Sequence, residues 1–366
     1  MRKLSLSSLS AVVVDDRVFT LVRDERRLTL LSLDTSSGVI DELMASFQGS
    51  KGFVLKAGRG RILVSIDDKL YLIEDGACRL MLTATRPENV FWHLVENNGI
   101  VFVHEYGESP TGIYVSEDLE RWRKLITNFD ADKSSKHFHC LAYDRYGNQL
   151  IATLGDGCLV RVITSPDLGN SWRPLYRGPW QFVPIVPLKD RIVFGMDSGI
   201  ARGGVGVYFP EGGWNFIFLK WVDGTVRFAQ MSDLKLLSNG VWLAALGTPQ
   251  AILVSKDLKT WALVYVEGFD KAFNIHMMIS EGTNVVVCST GENLLLFNKN
   301  ELKSMALNNQ PVIVEYRAYL DKLKEIAFVL KRKLSSLSTH HPLNMRGTLT
   351  ICSSGDNALR DYTYSI

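Results

Sequence analysis

Ser165-Pro166-Asp167-Leu168-Gly169-Asn170-Ser171-Trp172 decides the fold. An apolar run, Val160 to Thr164, precedes it, and a strand-like run from Arg173 to Tyr176 follows. The stretch therefore reads as the turn of a β-hairpin. Ser and Asp oxygens accept from turn amides, Gly169 permits a positive φ, and Trp172 plates the base of the hairpin. Two shorter copies occur: Ser116-Glu117-Asp118-Leu119-Glu120-Arg121-Trp122 and Ser255-Lys256-Asp257-Leu258-Lys259-Thr260-Trp261. Both lack the glycine and have one residue fewer before the tryptophan. The aspartates read as turn acceptors, not as catalysts.

A second series has the same interval. Phe53, Phe91, Phe138, Phe182, Phe228 and Phe273 each open an apolar run, with gaps of 38, 47, 44, 46 and 45 residues. Leu9 takes the equivalent place ahead of Val18-Phe-Thr-Leu. Such periods indicate propeller blades or solenoid repeats. The β-branched and aromatic content favours strands. Four runs fit each unit: 138–143, 149–154, 159–164 and 172–176 in one, and 228–237, 241–246, 251–255 and 261–266 in another. The expected architecture is all-β: a seven-bladed β-propeller of four-stranded antiparallel blades over residues 1–308.

At the three turns the chain resembles the Asp-box (BNR) repeat family, with a sialidase-like superfamily fold. The 165–172 copy carries the full S-x-D-x-G-x-S-W pattern. The resemblance implies a β-propeller. The family holds sialidases, other glycan hydrolases, sortilin-type receptors and non-catalytic members, so it does not imply one activity. In its enzymes the active site lies on the face opposite the boxes. Sialidases grip a carboxylate with three arginines, one in a Phe/Tyr-Arg-Ile-Pro motif. Arg23, Arg26 and Arg27 stand in the first unit here without that motif, so no catalytic residue is carried over.

Past residue 308 the pattern changes. Tyr316, Tyr319, Leu320, Leu323, Ile326, Ala327 and Leu330 share a helical face, which predicts a C-terminal α-helix over about 312–337. A tail follows, with an extra strand at 346–352 that could close the ring. The net charge of +2 gives no reason to expect nucleic acid or an anionic membrane. No apolar run reaches membrane-spanning length. The start, Met1-Arg-Lys and then serine-broken apolar residues, reads as a mature cytoplasmic N-terminus rather than a leader. Cys78, Cys140, Cys158, Cys288 and Cys352 form no C-x-x-C and read as buried free thiols.

Topology selects the face for a site. Loops joining second to third strands, and one blade to the next, lie opposite the boxes. Candidate ligand-binding residues there are His104, Glu105, Tyr106, Glu108, Asp156, Trp180, Arg202 and Arg227, with Asp197 on the same face. His137 and His139, with Cys140, Asp130 or Asp132, have metal-ligand chemistry, but their spacing matches no strong zinc pattern. No metal and no cofactor is assigned. The expected function is a non-catalytic protein- or glycan-binding scaffold, with the C-terminal helix docking a partner or a second copy. The alternative is a divergent sialidase-like hydrolase using loop carboxylates.

Overall fold

The computed structural model describes residues 1–35, 37–74, 76–156, 160–197, 203–225, 229–269 and 277–316. The chain begins with β1 (Arg2–Leu4), then runs through antiparallel meanders. The first comprises β2 (Ser8–Val14), β3 (Arg17–Asp24), β4 (Arg27–Asp34) and β5 (Ile40–Gln48). The second comprises β6 (Gly52–Lys56), β7 (Ile62–Ile66), β8 (Lys69–Glu74) and β9 (Ala77–Thr83). The third comprises β10 (Val90–Asn97), β11 (Ile100–Tyr106), β12 (Gly112–Ser116) and β13 (Arg123–Thr127), followed by the short α1 (Asn128–Ala131). The fourth comprises β14 (His137–Asp144), β15 (Gln149–Gly155), β16 (Val160–Ser165) and β17 (Arg173–Arg177). Next come β18 (Phe182–Pro187), β19 (Ile192–Met196), β20 (Gly204–Phe209) and β21 (Gly213–Trp221). Then follow β22 (Gln230–Leu236), β23 (Trp242–Thr248), β24 (Gln250–Ser255) and β25 (Thr260–Gly268). The described chain ends with β26 (Met278–Glu281), β27 (Val285–Ser289), β28 (Leu294–Asn298), α2 (Lys299–Asn308) and β29 (Pro311–Glu315).

The result is an all-β propeller. The first strand of each meander touches that of the next, in the order β2, β6, β10, β14, β18, β22, β26 and back to β2. Strands in the middle of the blades are wholly buried, as in β16 and β24, whereas outer strands such as β9 and β17 are largely exposed. That gradient explains why middle runs such as Ala251 to Val254 read as continuous apolar sequence. The residues of the Phe series seal the gaps between blades. Leu9, Phe53, Phe91, Phe138 and Phe182 are fully buried. Phe53 shares a cluster with Phe91 and Trp92 of the next blade, and Phe138 shares one with Phe102 and Ile113 of the blade before. Phe228 and Phe273 lie outside the described residues.

The expectation of seven separate four-stranded blades needs correcting. Five stand as separate four-stranded sheets, while β18–β21 and β22–β25 belong to one nine-stranded sheet. The cause is β29, which pairs antiparallel with both β21 (Trp221↔Ile313) and β25 (Trp261↔Ile313). Two outer edges that would stay open are thereby satisfied. Ile313, fully buried, packs in the cluster that also holds Trp221 and Trp261. Residues 312–315, the expected start of the C-terminal helix, instead belong to this strand. The rest of that helix and the strand expected at 346–352 lie outside the described residues. The last blade is completed from the other end of the chain: β1 pairs with β28 (Lys3↔Leu295).

The three quoted turns share one hydrogen-bond plan. Ser116 Oγ accepts from Leu119 N, Asp118 Oδ1 from the amides of Glu120 and Arg121, and Trp122 Nε1 donates to Leu119 O at 3.0 Å. Ser165, Asp167 and Trp172 repeat this with Gly169 and Ser171. Ser255, Asp257 and Trp261 repeat it with Leu258, Lys259 and Thr260. The left-handed place held by Gly169 (φ 95°) is filled in the short copies by Leu119 and Leu258, each at φ 66°. Both leucines are buried, and their packing offsets the strain of that conformation. The amide donors hold the Asp118 carboxyl well below the usual range. Donors from Ser171 bring Asp167 down to about 2. These aspartates are fully engaged as turn fasteners.

Candidate functional site

The β11–β12 loop (107–111), the β13–β14 connection (128–136) and the segment after β15 meet on the face opposite those turns. Tyr106 ends β11 and packs its ring 4.4 Å from that of His137, the first residue of β14. Glu108 and Asp156 come from adjacent blades and meet at Lys136, whose Nζ lies 3.4 Å from Glu108 and 4.0 Å from Asp156. Asp156 Oδ2 is also 3.8 Å from His137 Nε2. Gln181 Oε1 accepts from the Asp156 amide. Asp197 lies close enough to feel the Asp156 charge. Burial, and then that charge, push its carboxyl up to about 7.

Below this rim lies a layer of imidazoles and aromatic rings. His137 Nδ1 is 2.7 Å from Gly107 O, so in this bond the ring donates and its Nε2 is left as a bare lone pair when neutral. That Nε2 is 3.0 Å from His139 Nε2. On the neighbouring blade His93 and His104 stack at 5.3 Å, with Nδ1 to Nε2 at 3.0 Å, and His104 Nδ1 donates to Glu105 O. Trp92 joins the layer 4.7 Å from Tyr106. Burial, before any charge effect, keeps all four histidines neutral: His104 falls to about 4, and His93 and His139 fall well below their ordinary value. Burial likewise raises the Tyr106 phenol, so it stays protonated.

The backbone makes room for this layer. The register of β14 against β15 shifts between Phe138 and Cys140, leaving His139 as the extra residue of a bulge. β10 shifts against β11 between Phe91 and Leu94, at Trp92 and His93. Bulges re-aim side chains beside functional sites. Gly155 faces His139, and a Cβ there would lie 1.8 Å from His139 Nε2. Only glycine leaves space for the ring. The ligand atoms of His137, His139 and Asp156 all lie within 4.8 Å of one another, a set with metal-ligating chemistry.

The candidates named from sequence divide clearly. Tyr106, Glu108 and Asp156 come together, and His104 lies in the layer beneath. Glu105 does not join them. It is fully buried and accepts from Thr85 N, Tyr114 Oη and Gly112 N, so it fastens its own blade. Trp180 is buried against Phe218 at 5.0 Å and offers no stacking face. Arg202 and Arg227 lie outside the described residues. Asp130 caps α1 through Thr127, Asp132 accepts from Ser134 and Val160 amides, and Cys140 Sγ contacts Leu141 O, so none of the three accompanies His137. Cys78 is exposed, unlike the buried Cys140 and Cys288. Lys136, Gln181, His93 and Trp92 were not singled out. The last two occupy the bulge place just after Phe91, the signal that could have marked them.

No protein-family model and no curated protein matches the sequence. Solved structures do match in shape. A streptogramin B lyase is 14% identical with a TM-score of 0.58, over 80% of this chain and 95% of that one. YCF48 bound to D1 peptide is 13% identical with a TM-score of 0.56, over 81% and 95%. An oligogalacturonate lyase in complex with manganese is 10% identical with a TM-score of 0.57, over 79% and 87%. At these identities the likeness is one of fold: the chain is a β-propeller. Among the described residues no helix is long and apolar enough to cross a membrane.

Proposed function

We propose that this protein is a non-catalytic, Asp-box-type β-propeller that binds a protein segment at the mouth opposite its Asp-box turns. The seven inner strands in sequence around the axis support counting the fused sheet as two units and the ring as seven. The observation that carries the binding reading is the meeting of Glu108 and Asp156, from two blades, on Lys136 with Asp197 behind. Among the described residues there, the acids Glu108, Asp156 and Asp197 outnumber the bases Lys136 and Arg161, so the complementary partner is a basic peptide segment. The buried Trp180 removes the stacking platform that a sugar would use. β29 supports docking of the C-terminal segment onto its own propeller.

Binding of the full chain to a library of basic, acidic and neutral peptides tests this. Basic sequences should be captured, and Glu108→Lys with Asp156→Lys should abolish capture. Equal capture of acidic sequences would sink the reading, and capture of glycans alone would replace it.

A second reading, glycan hydrolysis, draws on the same pair of acids, since hydrolases take their carboxylates from separate elements. Its acids would be Asp156 and Glu108, not Glu105. Turnover of any aryl glycoside, lost in Asp156→Asn, would favour it over the first.

A further inference from the structure

We propose that His137 Nε2, His139 Nε2 and an Asp156 carboxylate oxygen form a binding site for a divalent first-row transition metal ion. The two nitrogens already have the spacing of a chelate. Metal–imidazole bonds of about 2.0–2.1 Å hold two nitrogens roughly 2.9–3.4 Å apart, from octahedral to tetrahedral angles. The observed separation is 3.0 Å.

The proton positions agree with this. Gly107 O takes the Nδ1 proton of His137, so the Nε2 lone pair faces His139. If His139 donated from Nε2, its Nδ1 would be a buried acceptor, and that atom has no hydrogen-bond partner. With a cation between the rings, the His139 proton moves to Nδ1. The Phe182 backbone lies close enough to that ring to favour a proton on it and can then accept it. The carbonyl behind His137 is the kind of support that fixes a metal-bound imidazole.

The third ligand completes the set. Asp156 Oδ2 is 3.8 Å from His137 Nε2 and lies within 4.8 Å of the His139 ligand atom, and the residue is half exposed, so its side chain can swing in by the ~1 Å that coordination asks for. It sits just after Gly155, the residue that makes room for the His139 ring. Two imidazoles and one carboxylate suit zinc, cobalt, nickel, iron or manganese, and disfavour the all-oxygen ions magnesium and calcium. Such a site keeps open positions toward the mouth. The inference shares residues with the binding reading above, but its test uses metal alone, so the two can fail separately.

The test is titration of untagged, chelator-stripped, full-length protein with zinc chloride by calorimetry and with cobalt chloride by visible absorption. One equivalent should bind, and magnesium should not compete. Asp156→Ala, at an exposed position, should stay folded by circular dichroism and weaken zinc by at least about 10–100-fold, the loss typical of groups one step further from a metal. His139→Ala should remove the cobalt spectrum. No binding by the wild type, unchanged affinity in both variants, or equal binding of magnesium would each overturn the site.

Discussion

Gly155→Ala tests the packing on which the histidine layer rests. The glycine has ordinary strand backbone, so alanine adds no conformational strain, and only its Cβ matters. That carbon would lie 1.8, 2.2 and 2.4 Å from His139 Nε2, Cε1 and Cδ2. Ordinary contact is above about 3.4 Å, so the ring must retreat by more than an ångström. It has nowhere to go: His139 is 3% exposed, with the His137 ring centred 4.9 Å away and Tyr106 6.0 Å away. Overpacking a filled interior costs about 1–3 kcal/mol, and the severity of this overlap places the expected loss near the upper end. Urea unfolding followed by tryptophan fluorescence, with chelator present, measures it. The partner variant His139→Ala removes the obstructing ring, so the double variant should be no less stable than His139→Ala alone. This would appear as a coupling of about 3 kcal/mol, the whole of the Gly155→Ala loss, in the double-mutant cycle. If Gly155→Ala lies within about 0.5 kcal/mol of wild type, or the two changes add, the ring does not occupy that space.

Three further outcomes follow. Ile313→Asp puts a charge between Trp221 and Trp261 and should detach β29, freeing two strand edges. Size-exclusion chromatography should show self-association of the variant at concentrations where the wild type does not associate, and an unchanged elution would contradict the shared-edge role. Iodoacetamide on native protein, read by peptide mass spectrometry, should modify Cys78 and spare Cys140 and Cys288. Burial pushes the Cys140 thiol up to about 12 and Cys288 well above its ordinary value, so equal labelling of the three would refute their sequestration. Asp167 has a folded value, about 2, below the ordinary carboxyl value of about 3.8. Its contribution is therefore complete above about pH 4 and is lost as pH falls toward 2. Asp167→Asn should lose that contribution at pH 7, read as a lower urea midpoint than wild type, and should flatten the stability–pH curve between about pH 4 and 2.

Much of the fold was legible because it is written in local chemistry. Ser, Asp and Trp at fixed offsets make a turn whatever surrounds them, and the phenylalanine period marks the fully buried starts of the inner strands. β29 was not legible, because its two partners lie far away in sequence. The run Val312-Ile313-Val314 buries only its middle residue, a period of two, but the helical period starting at Tyr316 was extended back over it. At the mouth, loop topology placed Tyr106, Glu108 and Asp156 on the right face. It could not say which way each side chain turns. Adjacent residues of a strand point oppositely, so Tyr106 joins His137 while Glu105 turns into its own blade. The approach of His139 to Gly155 depends on a bulge, and a bulge leaves no period to read.

The pairing of β29 also has a mechanical consequence. It runs antiparallel to the outer strands of two blades, β21 and β25, and its Glu315 lies 3.7 Å from Lys259 in one of the Ser-Asp-Trp turns. Backbone hydrogen bonds, and not packing alone, therefore join these two blades, so strain on one passes to the other and the two should open together rather than one at a time.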